Sequence, residues 1–335
     1  MKPMSIPPDQ ISREHIGMII TRDQPTTAKT IRKGHAIAAS DLDALATSSQ
    51  RIHAVLLEES DVSEEIAVPR IAEAIRGEHT TLQPMVQGRI NIRSSARGLL
   101  KIDTEMLLQL NRDEEIGIFT HHDSVAVNAD TMIAGVKIAP VAMDRSRLDA
   151  ALAAIRRPVV DILPFRPLKV VCIVTEALQG RVRDRFEQTL QEKMDWYGAD
   201  LQPIIWLEEE TEQIAAAIQA EVSKVDLIFT AGSHMMDPLD PILIALDRSG
   251  ATLVRLGAPA HPGSMVWVAC HETTQTPIIS LASCSMFSRS TVADLLMPHV
   301  FAGESITNET FARLGHGGLL DRGMDWRFPP YRDDS

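Results

Sequence analysis

The chain has 335 residues, enough for two domains that each bury a sizeable core. Hydrophobic residues make up 44% and charged residues 23%, which are ordinary globular proportions and exclude a disordered chain. The net charge of −12 argues against a general nucleic-acid-binding protein, which would carry a basic surface, but it is compatible with a small anionic ligand held by backbone amides and a few basic residues.

The cysteines and the apolar runs indicate a compartment. Cys172, Cys270 and Cys284 are too few and too scattered for a disulfide framework or a Cys-x-x-Cys metal site, and they suit a reducing environment. The first ten residues lack the apolar core of a secretory signal, and the apolar runs are too short to cross a bilayer. We therefore expect a cytoplasmic protein without a membrane partner.

Short strand-like segments fill the first half of the chain. Those rich in Ile, Val and Thr lie at residues 16–21, 52–57, 99–102, 115–120 and 131–141. Helical patterns are found at residues 63–76, 104–110 and 145–156. This arrangement predicts a β-rich α+β domain over residues 1–160.

Prolines 158, 164 and 167 mark a boundary, after which strands and helices alternate. The predicted strands cover residues 169–175, 202–206, 225–230, 252–256, 265–271 and 277–281. The predicted helices cover residues 181–197, 211–222, 238–248 and 288–299. The alternation predicts a three-layer α/β/α domain with a mostly parallel sheet over residues 165–305, followed by a C-terminal tail over residues 306–335.

Three loops are candidates for a binding site, because ligands of open α/β sheets bind beyond the carboxyl ends of the strands. These loops are residues 176–180, 231–237 and 282–287. In the second of them, Gly232 allows a close backbone approach. Asp237 precedes Pro238 and is interpreted as a helix N-cap, with Asp240 in the first turn. Capping and compensation of the helix dipole would explain both carboxylates without any ligand.

Other motifs are less informative. In His121-His122-Asp123 the adjacent side chains of a strand would face opposite ways, which disfavours a metal site. The glycine-rich residues 315–318 follow no clear strand and indicate a tail loop more than a phosphate site. No G-x-G-x-x-G, P-loop or G-x-S-x-G motif follows a predicted strand, which disfavours dinucleotide enzymes, Walker-type ATPases and hydrolases of that class.

The segment DLIFTAGSHMMDPLDPILIALDRSGA resembles a motif of the molybdopterin-binding domain family, a strand followed by Thr-Thr-Gly-Gly-x-Ser-x-Gly-x-x-Asp and a helix. Members of this family include molybdopterin molybdotransferase, molybdopterin adenylyltransferase and gephyrin-like proteins. Thr230 and Gly232 match the motif, and Asp240 falls on its final Asp. Residues 258–263 resemble the family's Lys-Pro-Gly turn, with His261 in place of lysine. Residues 277–284 resemble its Gly-Leu-Pro-Gly-Asn/Cys strand and loop.

Segments 84–91, 136–140, 164–168 and 315–320 look like a bacterial subgroup of this family that is sometimes fused to a cytidylyltransferase-like domain, which this chain does not contain. Departures from the motif are also present. Ser233, Met235 and Asp237 replace a glycine, a serine and a second glycine, and Ala282-Ser283 replaces Pro-Gly. These departures favour cofactor binding over molybdate insertion.

The resemblance implies a protein that binds molybdopterin or the molybdenum cofactor in its biosynthesis or delivery, either as a molybdotransferase-like enzyme or as a carrier. The alternatives are a nucleotide pyrophosphatase of the competence-damage type and a non-enzymatic assembly module for a client molybdoenzyme. We expect an anionic pterin ligand, with Mg²⁺ as a further candidate, and a homo-oligomer.

Asp240 is the predicted catalytic residue, acting on ligand chemistry more than on stability, and Cys284 is expected to line the cleft. The predicted cofactor-binding residues are Thr175, Gly180, Arg181, Thr230, Gly232, Ser233, His234, Asp237, His261, Pro262, Gly263, Ser283, Cys284, Ser285 and Arg289.

Overall fold

The computed structural model describes residues 1–281 and 290–331, with Arg322 described by its backbone alone. Contacts between Cα atoms divide the chain into two compact units. The first unit comprises residues 1–96, 100–123 and 129–162, and the second comprises residues 97–99, 124–128 and 163–335. Over the described residues, no helix combines the length and the apolar character that crossing a membrane would require.

The part of the chain before residue 165 is rich in short strands. Its strands are β1 (Lys2–Ile6), β2 (Ile19–Ile20), β3 (Gln24–Pro25), β4 (Thr30–Ile31), β5 (Ile52–Leu56), β6 (Asp61–Ser63), β7 (Thr80–Leu82), β8 (Arg89–Ser94), β9 (Gly98–Ile102), β10 (Ile116–Thr120), β11 (Ala126–Val127), β12 (Met132–Ile138), β13 (Ala142–Asp144) and β14 (Val160–Pro164). Its helices are α1 (Leu42–Ala46), α2 (Glu64–Ile75), α3 (Thr104–Asn111) and α4 (Arg145–Ala154). Short 3-10 helices cover Pro8–Gln10, Arg13–His15 and Ala39–Asp41. Its largest sheet is antiparallel, in the order β10-β12-β8-β7, which confirms the predicted β-rich α+β character.

From residue 169 onward, strands and helices alternate. The strands are β15 (Lys169–Val174), β16 (Asp200–Leu201), β17 (Ile205–Trp206), β18 (Leu227–Ala231), β19 (Ala251–Leu256), β20 (Trp267–His271) and β21 (Pro277–Leu281). The helices are α5 (Gly180–Tyr197), α6 (Thr211–Glu221), α7 (Pro241–Ser249), α8 (Val292–Phe301) and α9 (Asn308–Arg313), and a 3-10 helix covers Arg322–Arg327.

One sheet holds this part of the chain together, in the order β16-β15-β18-β21-β20-β19, with β17 also paired to β15. Strands β15 to β18 and β21 run parallel, and β20 and β19 are antiparallel additions. The central strand β18 has parallel neighbours on both sides, as its continuous apolar sequence predicts. Of the strand predicted at residues 202–206, only Ile205–Trp206 forms a strand, β17, and β16 lies before the predicted range. Pro203, between the two short strands, has no N–H to continue the ladder.

Alternate side chains of the sheet enter two different cores. On β15, Val170 and Cys172 join one core with α5 and α8, whereas Val171 and Ile173 join another with α6 and α7. A strand whose side chains are apolar on both faces must be covered on both faces. The second unit is therefore the predicted three-layer α/β/α domain.

Residues 306–331 differ from the tail that the sequence indicates. Phe311, Leu314, Leu320 and Phe328 are buried in the same core as α8. The amide of His261 donates to the carbonyl of Gly318 at 2.7 Å. In the sequence, residues 315–318 indicate a tail loop because they follow no clear strand, but the apolar side chains of segment 306–331 pack in the core of the domain.

Candidate functional site

The first two candidate loops lie side by side. The Thr175 amide donates to the Ala231 carbonyl at 2.9 Å, directly after β15 and β18 end. Gly232 has φ +114°, and a Cβ atom there would lie 2.4 Å from Thr175 Oγ1 and 2.7 Å from the Glu176 amide nitrogen. Only glycine permits this approach. The end of the sheet formed by the last residues of β15, β18 and β21 is called the carboxyl edge below.

Asp240 organises the second loop. Its side chain is buried, and Oδ1 accepts hydrogen bonds from Ser233 Oγ at 3.2 Å and from the amides of Ile242 and Leu243 at 3.0 and 3.2 Å. Its Oδ2 accepts from the His234 amide at 2.5 Å. Asp240 is therefore the N-cap of α7, with Pro241 at the first helical position.

The prediction that Asp237 caps this helix is wrong. Helix α7 begins three residues later than predicted, at Pro241, and Asp237 is exposed, with its Oδ1 accepting from the Leu239 amide at 2.9 Å. Asp237-Pro238 and Asp240-Pro241 are equivalent start signals in the sequence. Helix α7 begins at the second signal because Asp240 is buried beneath the loop, whereas Asp237 is exposed.

Ser233 joins the second loop to the antiparallel side of the sheet. Its Oγ accepts a hydrogen bond from Trp267 Nε1 at 3.2 Å. Trp267 is fully buried at the start of β20, and its amide donates to Ser280 Oγ near the end of β21 at 2.8 Å. The start of β20 therefore lies at the carboxyl edge.

The turn at residues 258–263 precedes β20. The peptide bond between His261 and Pro262 is cis, and both side chains are exposed. Gly263 has φ +100°, and a Cβ there would come within 2.9 Å of the Val292 amide nitrogen. The turn thus contacts the start of α8.

The first loop leads into α5, whose amino terminus is open. Gly180 has φ +52°, and Gln179 provides no side-chain cap. Arg181 is exposed and has no hydrogen-bond or ion-pair partner among the described residues. Arg183, by contrast, lies over the Trp206 ring at 4.0 Å. A helix start with free amides beside an unpaired guanidinium suits an anionic group.

Two polar atoms at the carboxyl edge are buried and have no hydrogen-bond partner among the residues that the structure describes. They are Glu176 Oε2, in the first loop, and Thr230 Oγ1, on a fully buried residue of β18. Leaving a buried acceptor unpaired costs about 1–3 kcal/mol, so a ligand or water is expected to supply the missing hydrogen bonds.

A second buried carboxylate, Asp294, stands in the first turn of α8. It accepts from Lys193 Nζ at 2.8 Å, from the Thr291 amide at 2.8 Å and from Tyr331 Oη at 2.7 Å. Burial raises the pKa of Tyr331 well above its usual value, and the nearby Asp294 carboxylate and Tyr197 act in the same direction. Lys193 and Tyr331, which are distant from Asp294 in sequence, thus hold the start of α8 in place.

Half of the predicted site residues that the structure describes come together at the carboxyl edge: Thr175, Thr230, Gly232, Ser233, His234 and Asp240. Gly180 and Arg181 open α5, Gly263 contacts α8, and His261, Pro262 and Asp237 project from exposed turns. Ser283, Cys284, Ser285 and Arg289 lie outside the described residues.

Three residues at this edge were missed from the sequence: Glu176, Trp267 and Glu209. Glu209 follows β17, which runs parallel to β15, so the rule that selected the other loops would also have selected its loop. Glu209, His234 and Asp240 each offer a ligand atom, and these atoms lie within 4.8 Å of one another. No metal-ligating residue was predicted here. His121, His122 and Asp123 do not form such a group within the described part of the chain.

A comparison with known protein families gives a match within this domain. Residues 169–302 match the model of the probable molybdopterin binding domain family. A search of curated protein sequences finds no significant match.

Solved structures with some likeness come from two Pyrococcus species. A molybdopterin biosynthesis MoeA protein from Pyrococcus horikoshii is 13% identical, with 76% of each chain covered and a TM-score of 0.32. A molybdenum cofactor biosynthesis protein from Pyrococcus furiosus is 14% identical, with 73% of this chain and 72% of that chain covered and a TM-score of 0.27. These TM-scores support neither a fold nor a function for this chain, and its likeness to the molybdopterin-binding family is based on the family match. Residues 169–302, which include the carboxyl edge, are therefore similar to the probable molybdopterin binding domain family.

Proposed function

We propose that this chain binds molybdopterin or the molybdenum cofactor at the carboxyl edge and acts in the biosynthesis or delivery of that cofactor. The observation that carries the proposal is the pair of buried, unpartnered polar atoms, Glu176 Oε2 and Thr230 Oγ1, at the edge of a molybdopterin-binding domain. When bound, the cofactor supplies the dithiolene that holds molybdenum, and this chain's residues bind and orient it.

The donor set at the edge suits a phosphorylated pterin. The amino-pyrimidinone part of a pterin carries N–H donors, for which the Glu176 carboxylate is an acceptor. A phosphate matches the free amides at the start of α5 and the unpaired Arg181. The hydroxyls of Thr175 and Ser233 add further polar groups at the same edge.

The hydrogen bonds of the Asp240 carboxylate favour cofactor binding and delivery over molybdotransferase chemistry. Four hydrogen bonds from its own loop and helix engage its carboxylate. The proposed role of Asp240 is therefore to hold the second loop in the shape that a ligand would meet.

The test begins with protein purified from a molybdate-fed host, in which oxidised-pterin fluorescence should accompany the wild-type chain. Arg181→Ala should lower pterin affinity about tenfold, because a hydrogen bond to a charged group contributes about 1.5–3 kcal/mol. Arg185→Ala, one turn further along the same exposed face of α5, is the matched control and should bind as wild type does.

Two results would count against the proposal. Absence of bound pterin together with no affinity for added molybdopterin would overturn binding. Equal affinities of the Arg181 and Arg185 variants would remove the start of α5 from the site. Release of AMP or phosphate from a nucleotide would instead support the pyrophosphatase alternative.

A further inference from the structure

We infer that Glu209, His234 and Asp240 form a site for one divalent metal ion of the zinc class, which ties the second loop to the loop after β17. Their ligand atoms lie within 4.8 Å of one another. The group brings together two loops that are not adjacent in sequence, one after β17 and one after β18.

One of the distances between ligand atoms is close to that of a loaded site. His234 Nδ1 and Glu209 Oε1 are 3.6 Å apart. Ligands of a tetrahedral zinc ion, at bond lengths of about 2.0–2.1 Å, stand about 3.3–3.5 Å from each other. Small rotations of two side chains would therefore bring all three ligand atoms to bonding distance.

Asp240 is the fixed ligand of the group. Its side chain is buried, and three donors hold Oδ1, so its orientation is set before any ion arrives. Among the described residues, its Oδ2 accepts one hydrogen bond, from the His234 amide, and a carboxylate oxygen has two lone-pair sites. One lone pair of Oδ2 remains for a metal.

Glu209 and His234 are the movable ligands. Their side chains are 46% and 75% exposed, so they can rotate toward an ion without disturbing the core. Glu208 and Glu210 beside them are exposed and add negative potential that attracts a cation.

The donor set selects the class of metal. One imidazole nitrogen with two carboxylate oxygens suits zinc and its first-row neighbours, whereas Mg²⁺ prefers oxygen ligands and retains its waters. Three protein ligands leave a fourth position open for water or a ligand atom.

The experiment is a titration of tag-free, full-length, chelator-treated protein with Zn²⁺ and with Co²⁺, followed by calorimetry and by visible absorption. We expect one ion per chain. His234→Ala and Glu209→Ala should each weaken binding at least about tenfold while leaving the melting temperature of the metal-free protein unchanged. His316→Ala, which removes another exposed histidine, is the control and should bind as wild type does.

Several outcomes would overturn the site: no saturable binding at one equivalent, wild-type affinity in the His234 variant, or equally good binding of Mg²⁺. Pterin fluorescence measured on the same samples separates this inference from the proposed function. Pterin binding without metal binding overturns only the metal site, and metal binding without pterin binding overturns only the proposed function.

Discussion

Helices α7 and α8 both begin with a buried carboxylate, and the two carboxylates are held in different ways. Within the described part of the chain, every hydrogen-bond partner of the Asp240 carboxylate lies within seven residues of it in sequence and is an uncharged amide or hydroxyl. Asp294 closes a local capping box with Thr291 but also binds Lys193 and Tyr331 from distant parts of the chain. Asp240 shapes a loop, whereas Asp294 links three segments of the chain. Disrupting the contacts of the two carboxylates should therefore lower the free energy of unfolding by different amounts.

The largest effect is expected at the Asp294 network. Lys193→Met leaves a buried carboxylate without its countercharge and should lower the free energy of unfolding by about 3–5 kcal/mol, measured by urea denaturation. Adding Asp294→Asn should recover part of this loss, because it removes the unpaired charge.

Lys224→Met is the matched control, since it breaks an exposed pair with Glu221 and should change stability by less than about 1 kcal/mol. Equal losses in the Lys193 and Lys224 variants would show that the distant contacts of Asp294 contribute nothing.

Asp240→Ala should have the next largest effect. It removes the cap of α7 and leaves buried amides without an acceptor, which should cost about 2 kcal/mol in the free energy of unfolding. Asp237→Ala, in the exposed turn, should cost less than about 0.5 kcal/mol. Thermal melting with denaturant titration compares the two, and a reversed order would restore Asp237 as the cap.

The smallest effect is expected for Tyr331→Phe, and it depends on pH. The pKa of Tyr331 is raised in the folded state by burial and by Asp294, so its contribution is complete below the unfolded pKa of about 10 and is lost as the pH rises above it. Burial raises the pKa of Tyr197 in the same way. Tyr331→Phe should therefore reduce the fall in stability above about pH 10 by about 1.4 kcal/mol per pH unit.

Urea unfolding at about pH 8 and about pH 11 measures this difference. A slope identical to that of the wild type would mean that Tyr331 ionises in the folded protein as it does in the unfolded chain. Near neutral pH the variant should lose about 1–2 kcal/mol, because its hydrogen bond to Asp294 is missing.

The sequence predicts the second unit well because the signals there are local. The apolar run of β18 and the amphipathic pattern of α5 each imply one structure, and the order of strands and helices then implies the layers. The adjacency of Thr175 and Gly232 follows from parallel strands ending at one edge.

What the sequence could not predict depends on contacts between distant residues. The two Asp-Pro pairs at 237 and 240 are indistinguishable until the fold buries one of them. Lys193 reads as a surface residue of α5, and only Asp294, about 100 residues away, accounts for its burial. Glu209 follows β17, which is only two residues long, and its proximity to His234 and Asp240 depends on contacts between two separate loops.

Helix α8 has a consequence for how the domain can be divided. All ten residues of α8 are buried. The apolar residues of segment 306–331 complete the core around this helix. The family match ends at residue 302, before that segment begins. A fragment cut there would present a bare apolar helix, the kind of surface that drives aggregation. The family match and the packed core thus have different borders in this chain.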